Sequence, residues 1–231
     1  MGFGSEKPKR NLFFVTLKTQ DKDGPLRPHF KIIRYENKIK IDLPDETEIF
    51  GKLVKLGYET HTWKNEVIES ILFYLVDGEQ LLKVGVALDT MLGRSIMNTI
   101  AGTKIFEDFN MRVYITKPKD GKDPMPGVYI TNNGQQTVWK YDYKKDLTPL
   151  ITQAPDPKRR GVMVNVYHTV NDLLLKSWKE TMPIVENHAK EMGFETINDK
   201  QNKPATSAEP ESSFENTVNH ETVENVDDLP F

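Results

Sequence analysis

Residues 70–88 read SILFYLVDGEQLLKVGVAL, and their reading decides the fold class. Two short apolar runs, 70–76 and 81–88, flank Asp77 and Gly78, a pair that tolerates the positive φ of a tight hairpin turn. Runs of this length bounded by a turn are strands rather than helices. Gly85, inside the second run, is expected to mark a bulge or a sharp bend. Just beyond, Asp89 or Thr90 is placed to cap a short helix. In that helix Leu92, Ile96 and Ile100 recur every four residues, and Gly102 is expected to end it.

The same pattern extends both ways. Upstream, residues 12–17 are apolar and β-prone, and 30–35 with 38–43 form an expected hairpin across Glu36 and Asn37, while 53–63 is less clear. Downstream, MRVYITK (111–117) reads as a strand, and 128–131 with 136–143 as a hairpin across Asn132, Asn133 and Gly134. A helix is expected over about 165–193, with Asn171 as cap, Trp178 on its apolar face and Gly193 just past its end. Pro183 should kink or divide that helix. Strands, one short helix and more strands fit a β-rich α+β domain, specifically a small barrel of the oligonucleotide-binding (OB) type with a helix between strands. An unspecified α+β domain is the alternative.

Three segments follow. Residues 1–10 read as a flexible arm, 11–195 as the domain with its C-terminal helix, and 196–231 as a disordered acidic tail. The tail has too few large apolar residues to offset its chain entropy. From Lys200 onward it holds seven carboxylates against two lysines, a net −5; since the whole chain carries −3, the preceding residues carry +2. A mildly basic body with an acidic tail is a charge split that points toward nucleic acid.

Composition excludes much else. With no cysteine among 231 residues, disulfide scaffolds, cysteine-held zinc, iron–sulfur sites and thiol nucleophiles are ruled out. No apolar run approaches the ~18–20 residues of a membrane span, and the start, MGFGSEKPKR, holds no signal region, so a cytoplasmic protein is expected. There is no phosphate-binding glycine loop, no HExxH and no GxSxG, and the five histidines lack metal-ligand spacing. Neither an enzyme, nor a cofactor, nor a metal is expected.

Single-strand binding needs cations to track phosphates and aromatic faces to stack on bases. In 111–116, Arg112 and Tyr114 alternate with Met111, Val113 and Ile115, so the first pair points away from the core. Tyr129 and Thr131 oppose Val128 and Ile130 in the same way. In the expected strand 136–143, Trp139 and Tyr141 share one face, which is either a binding face or the core because no apolar face lies opposite, and Lys140 lies on the other. Tyr58, Trp63, Lys64 and Lys83 complete the candidate set, and the lysine-bearing loops 117–122 and 158–160 are further candidates for the groove.

The last five residues are Asp227, Asp228, Leu229, Pro230 and Phe231. This tip resembles the acidic C-terminal tip of phage and bacterial single-stranded DNA-binding proteins; the body matches no motif of the usual bacterial domain and, by its basic β-rich architecture and long polar tail alone, looks more like a divergent phage type. The resemblance implies a protein that coats single-stranded DNA during replication, recombination or repair. Its tip would recruit partner proteins, the Phe231 ring entering a basic-rimmed pocket that Asp227 and Asp228 steer toward. In a phage the site of action would be the host cytoplasm. The alternatives are a protein-interaction adaptor or virion component with a solubilising tail, or a single-stranded RNA-binding module.

Overall fold

The computed structural model describes residues 10–20, 24–63, 66–103, 107–117, 123–157 and 159–194. The side chain of Trp63 is not among what it describes. The expected arm (1–10, save Arg10) and tail (196–231) therefore lie outside the described residues, as does Lys64.

The described residues build eleven strands and two α-helices: β1 Asn11–Gln20, β2 Leu26–Glu36, β3 Ile39–Asp42, β4 Glu48–Trp63, β5 Glu66–Asp77, β6 Gln80–Ala87, α1 Met91–Gly102, β7 Phe109–Ile115, β8 Pro126–Asn132, β9 Gln135–Gln136, β10 Thr152–Pro155, β11 Met163–Val166 and α2 His168–Glu191. A π-helical turn at Tyr143–Leu147 and a 3₁₀ turn at Thr148–Leu150 lie between β9 and β10.

The hairpin read first from sequence is β5–β6, with Asp77 facing Gln80 across the turn. Its run 71–76 is apolar at every position because both faces of β5 are covered. Ile71, Phe73 and Leu75 enter the main core, while Leu72, Tyr74 and Val76 enter a second cluster with Val54, Leu81 and Ala189. A strand buried on both sides has no polar face to present, so alternation is lost.

Nine strands form one mixed sheet in the order β3-β2-β1-β6-β5-β4-β7-β8-β9. All neighbours are antiparallel except β1 and β6, which run parallel. The strands do not close into the barrel expected from sequence. The β1–β2 hairpin occupies the free edge of β6, and β7–β8 extend the sheet from the other side of β4. One bridge, Phe30 with Glu46, links β2 to the residues entering β4. Gly85 makes no bulge; it pairs in regular register with Leu72 and Thr16. The irregularities fall instead in β1, between Lys18 and Gln20, and in β4, between Leu53 and Lys55.

β4 is the strand on which the two parts of the sheet meet. Its residues 48–51 pair with β7 and its residues 52–63 pair with β5. Where β7 no longer pairs, α2 packs along β4, and the Trp178 indole N–H donates to the Gly57 carbonyl at 2.8 Å. Trp178 is 0% exposed, as expected of a core residue.

The start of α1 and the end of α2 have identifiable causes. Thr90 caps α1, its hydroxyl accepting from Gly93 N–H at 2.9 Å, and Leu92, Ile96 and Ile100 are buried. α2 starts at His168 with no side-chain cap, so Asn171 lies inside the helix rather than at its start. Pro183 neither ends nor divides α2. It sits on the exposed side, and the stripe Trp178, Val185 and Ala189 continues past it into the core, so packing outweighs the lost hydrogen bond.

At the end of α2, Phe194 N–H donates to Ala189 O and Gly193 N–H to Lys190 O, both at 2.9 Å, with Gly193 at φ 82°. This is a Schellman cap, and it requires a left-handed residue. Gly193→Ala is expected to lower stability by about 1 kcal/mol, read from the urea midpoint, because a Cβ is disfavoured at that φ.

Candidate nucleic-acid interface

β7 places Phe109, Met111 and Val113 in the core, which turns Asn110, Arg112 and Tyr114 outward. On β8 Ile130 is buried while Tyr129 is exposed. Register then aligns the outward residues in rows: Asn110 opposite Thr131, Arg112 opposite Tyr129, and Tyr114 opposite Gly127. The start of β4 adds a third strand to this face, with Phe50 opposite Asn110 and Glu48 opposite Arg112. Tyr114 is 43% exposed, Tyr129 42% and Phe50 57%, while Ile49 beside Phe50 is buried.

Three exposed aromatics on one sheet face, with Arg112 in the row between Glu48 and Tyr129, are the elements of a stacking platform. Tyr114 and Tyr129 lie diagonally across adjacent strands, a relation that places side chains roughly 7–8 Å apart. A cation beside such rings can hold the phosphate of a stacked nucleotide. Asn110 Nδ2 donates to Glu48 Oε1 at 2.6 Å, which fixes the amide orientation on this face.

Gly127 shapes the platform. A Cβ there would meet Tyr114 ring carbons at 2.6 and 2.8 Å and its hydroxyl at 2.9 Å, so the ring lies over the bare glycine backbone. Gly127→Val is expected to displace the Tyr114 ring, read as a change in tyrosine fluorescence, with the unfolding free energy from the urea midpoint lowered by no more than about 1–3 kcal/mol.

The other sequence candidates are dispersed. Tyr58 is half-buried, its phenol donates to the Glu69 carboxylate, and Lys179 Nζ lies 5.0 Å from its ring centre. That hydrogen bond to Glu69 raises the phenol pKa above its ordinary value. Lys83 Nζ is 3.5 Å from Glu59 Oε2 and half-buried. Neither joins the rows on β7 and β8. Trp63 closes β4 opposite Glu66. Lys117 is exposed, and Arg159 pairs with Asp156 at 2.6 Å. Positions 118–122 and Lys158 lie outside the described residues, as do Asp227, Asp228, Leu229, Pro230 and Phe231.

The expected strand 136–143 does not form beyond Gln136. Asn98 of α1 captures the chain instead. Its carbonyl accepts from Lys140 N–H at 3.1 Å, its side-chain oxygen accepts from Tyr141 N–H at 2.9 Å, and its amide donates to Tyr141 O at 2.9 Å. One buried asparagine thus supplies the bonds that a neighbouring strand would have made. Tyr141 consequently faces α2, its hydroxyl 2.7 Å from Ser177 Oγ, and belongs to the packing. Lys140 Nζ lies 3.5 Å from Glu180. Trp139 keeps 38% exposure on this anchored segment, which Thr137 holds alongside β8 by donating to Ile130 O.

Phe50 escaped the sequence reading because residues 48–52 did not stand out as a strand. The usable signal was the pair Ile49–Phe50 continued by Leu53, an in–out step at the start of β4. Asn110 carries no compositional mark, and only register assigns it to this face; Thr131 follows from alternation with Tyr129.

Among the described residues there is no group of three or more His, Asp or Glu that could hold a metal ion. No helix among them is long and apolar enough to cross a membrane. No protein-family model, curated protein or solved structure matches the chain.

Proposed function

We propose that this chain binds single-stranded DNA, coating and protecting it during replication, recombination or repair without strong overall sequence preference. It acts as a binding protein and not as a catalyst. The observation that carries the reading is the outward row of Arg112, Tyr114 and Tyr129 on β7 and β8, with Phe50 continuing it on β4. Tyrosine and phenylalanine rings left in water on a flat sheet face contribute little to folding, and they match what base stacking requires.

An OB relationship is part of the proposal. The long strand β4, the β5–β6 hairpin, α1 and the β7–β8 hairpin follow the chain order of an OB module. The parallel partner of β6 is β1 in place of a closing strand from the module itself. In this reading the acidic tip Asp227, Asp228, Leu229, Pro230 and Phe231 recruits replication or recombination proteins. The site of action is the cytoplasm, that of the host if a phage encodes the chain.

The test is fluorescence anisotropy of a labelled mixed-sequence 20-mer with the full chain at two salt concentrations, with matched duplex and RNA alongside. Single-strand binding is expected, with log affinity falling by about 0.7 per neutralised phosphate against log salt. Absence of binding to either single strand would reject the reading and leave the adaptor alternative. Replacing the seven tail carboxylates with their amides is expected to tighten binding at low salt and to have little effect at high salt. A −5 segment competes with phosphates for the same cations, and salt screens that competition. Equal affinities at low salt would remove the inward role of the tail while leaving DNA binding intact.

A further inference from the structure

The outward rows of β4, β7 and β8 do not end on open surface. Past the row of Phe50, Asn110 and Thr131 lies an open cavity of about 610 Å³, lined further by the β5–β6 turn, the β8–β9 turn and Phe194. Phe50, Lys52, Asp77, Asp108, Asn110 and Thr131 contribute to its lining.

Among the described residues, the lining around Phe50 is weighted toward acceptors, with Lys52 as its one cation. Phe50 brings an aromatic face that is 57% exposed. Asp77 and Asp108 bring carboxylates, which accept hydrogen bonds. Asn110 donates one N–H of its amide to Glu48 at 2.6 Å; a carboxylate there demands the donor, so Oδ1 stays an acceptor, beside the second N–H. Thr131 can accept or donate, and Lys52 is the cation of the set. Acceptors beside an aromatic plate suit a flat ring that carries an amine. They oppose a ring that presents a carbonyl at the same position, because two acceptors would then face each other. Cytosine and adenine present an exocyclic amine, whereas thymine and uracil present a carbonyl.

We infer that this cavity is a base-reading subsite of the bound strand, in which one nucleobase stacks on Phe50 and directs its exocyclic amine to Asp108 and Asn110. The inference rests on the single-strand reading above and refines it. Most of the strand is held through backbone and stacking, and one position prefers an amino base. Asp108 and Asn110 flank the buried Phe109, so the chain direction that seals the core also aims both acceptors outward.

The deciding experiment compares labelled dC12 with dU12 on the full chain at one salt concentration. The two oligomers share sugar, phosphate and ring size, and their bases differ on the pairing edge, where cytosine carries the amine and uracil a carbonyl. The expected result is about tenfold tighter binding of dC12, the scale of one well-made base contact. Asp108→Asn should bring that ratio toward one with dU12 affinity unchanged or improved, and Phe50→Ala should weaken both oligomers. Both residues lie outside the core, and far-UV circular dichroism checks that each variant folds.

Equal affinity for dC12 and dU12, or a ratio indifferent to Asp108→Asn, would overturn the subsite and leave single-strand binding standing. Failure of both oligomers to bind would overturn the strand reading and the subsite with it. Free dCMP distinguishes the source of the base. If it competes at a concentration comparable to that of dC12 nucleotides, the cavity is a free-nucleotide site and the strand subsite is rejected.

Discussion

Replacing Tyr114 and Tyr129 together with alanine is expected to weaken single-strand binding by at least about 30-fold while leaving the protein folded. Each base–aromatic stack contributes ~1–3 kcal/mol by alanine substitution, so losing two costs roughly 2–6 kcal/mol. The fold should persist because both rings are more than two-fifths exposed, and the core beneath them is made by Met111, Val113 and Ile130. Arg112→Ala provides the contrast. It should reduce the slope of log affinity against log salt by about 0.7, the signature of one lost phosphate contact. The tyrosine variants should leave that slope alone. If the double variant bound as tightly as the parent, β7 and β8 would not be the DNA face.

Trp178→Ala is expected to be the most destabilising single change, lowering the free energy of unfolding by about 3–5 kcal/mol. The indole is the largest fully buried side chain of the described residues, and its N–H donates to the Gly57 carbonyl on an edge of β4 that no strand covers. Removing it opens a cavity between α2 and the sheet and also leaves that carbonyl without its donor. Trp178→Phe separates the two effects. It keeps most of the ring and loses the donor, so a drop of about 1–2 kcal/mol is expected. Urea unfolding followed by far-UV circular dichroism reads both variants. Because typical domains have only about 5–15 kcal/mol of stability, Trp178→Ala should shift the midpoint by a large fraction of its value. Equal midpoints for the two variants would mean that the hydrogen bond, and not the packed volume, is what Trp178 contributes.

The local elements were legible where short-range chemistry dominates. The β5–β6 hairpin follows from a turn pair between two apolar runs, and Thr90 and Gly193 mark the start of α1 and the end of α2 by the backbone groups they can satisfy. The outward set Arg112, Tyr114 and Tyr129 also follows from alternation alone, because each has an unambiguous apolar neighbour on its strand. Alternation failed for Trp139, Lys140 and Tyr141. Nothing in 136–143 reveals that Asn98, far earlier in the chain, takes the hydrogen bonds of that segment and turns Tyr141 toward α2. Pro183 does not divide α2 for a related reason: its local preference to break a helix is smaller than the burial of Val185 and Ala189 beyond it.

The amino-acid sequence by itself determined the β-rich α+β class, most strand positions, both helices and the side of β7 and β8 that faces water. Those features depend on residues a few positions apart, where turn chemistry, capping and the period of two act. Only the tertiary structure decided how the strands join. The parallel pairing of β1 with β6, the change of partner along β4 and the alignment of Phe50 with Asn110 and Thr131 link residues tens of positions apart. Such pairings are chosen by which edges and faces remain uncovered once the whole chain has packed, and no local pattern records that competition. The open mixed sheet, the row of aromatics on it and the cavity at the end of that row are products of it.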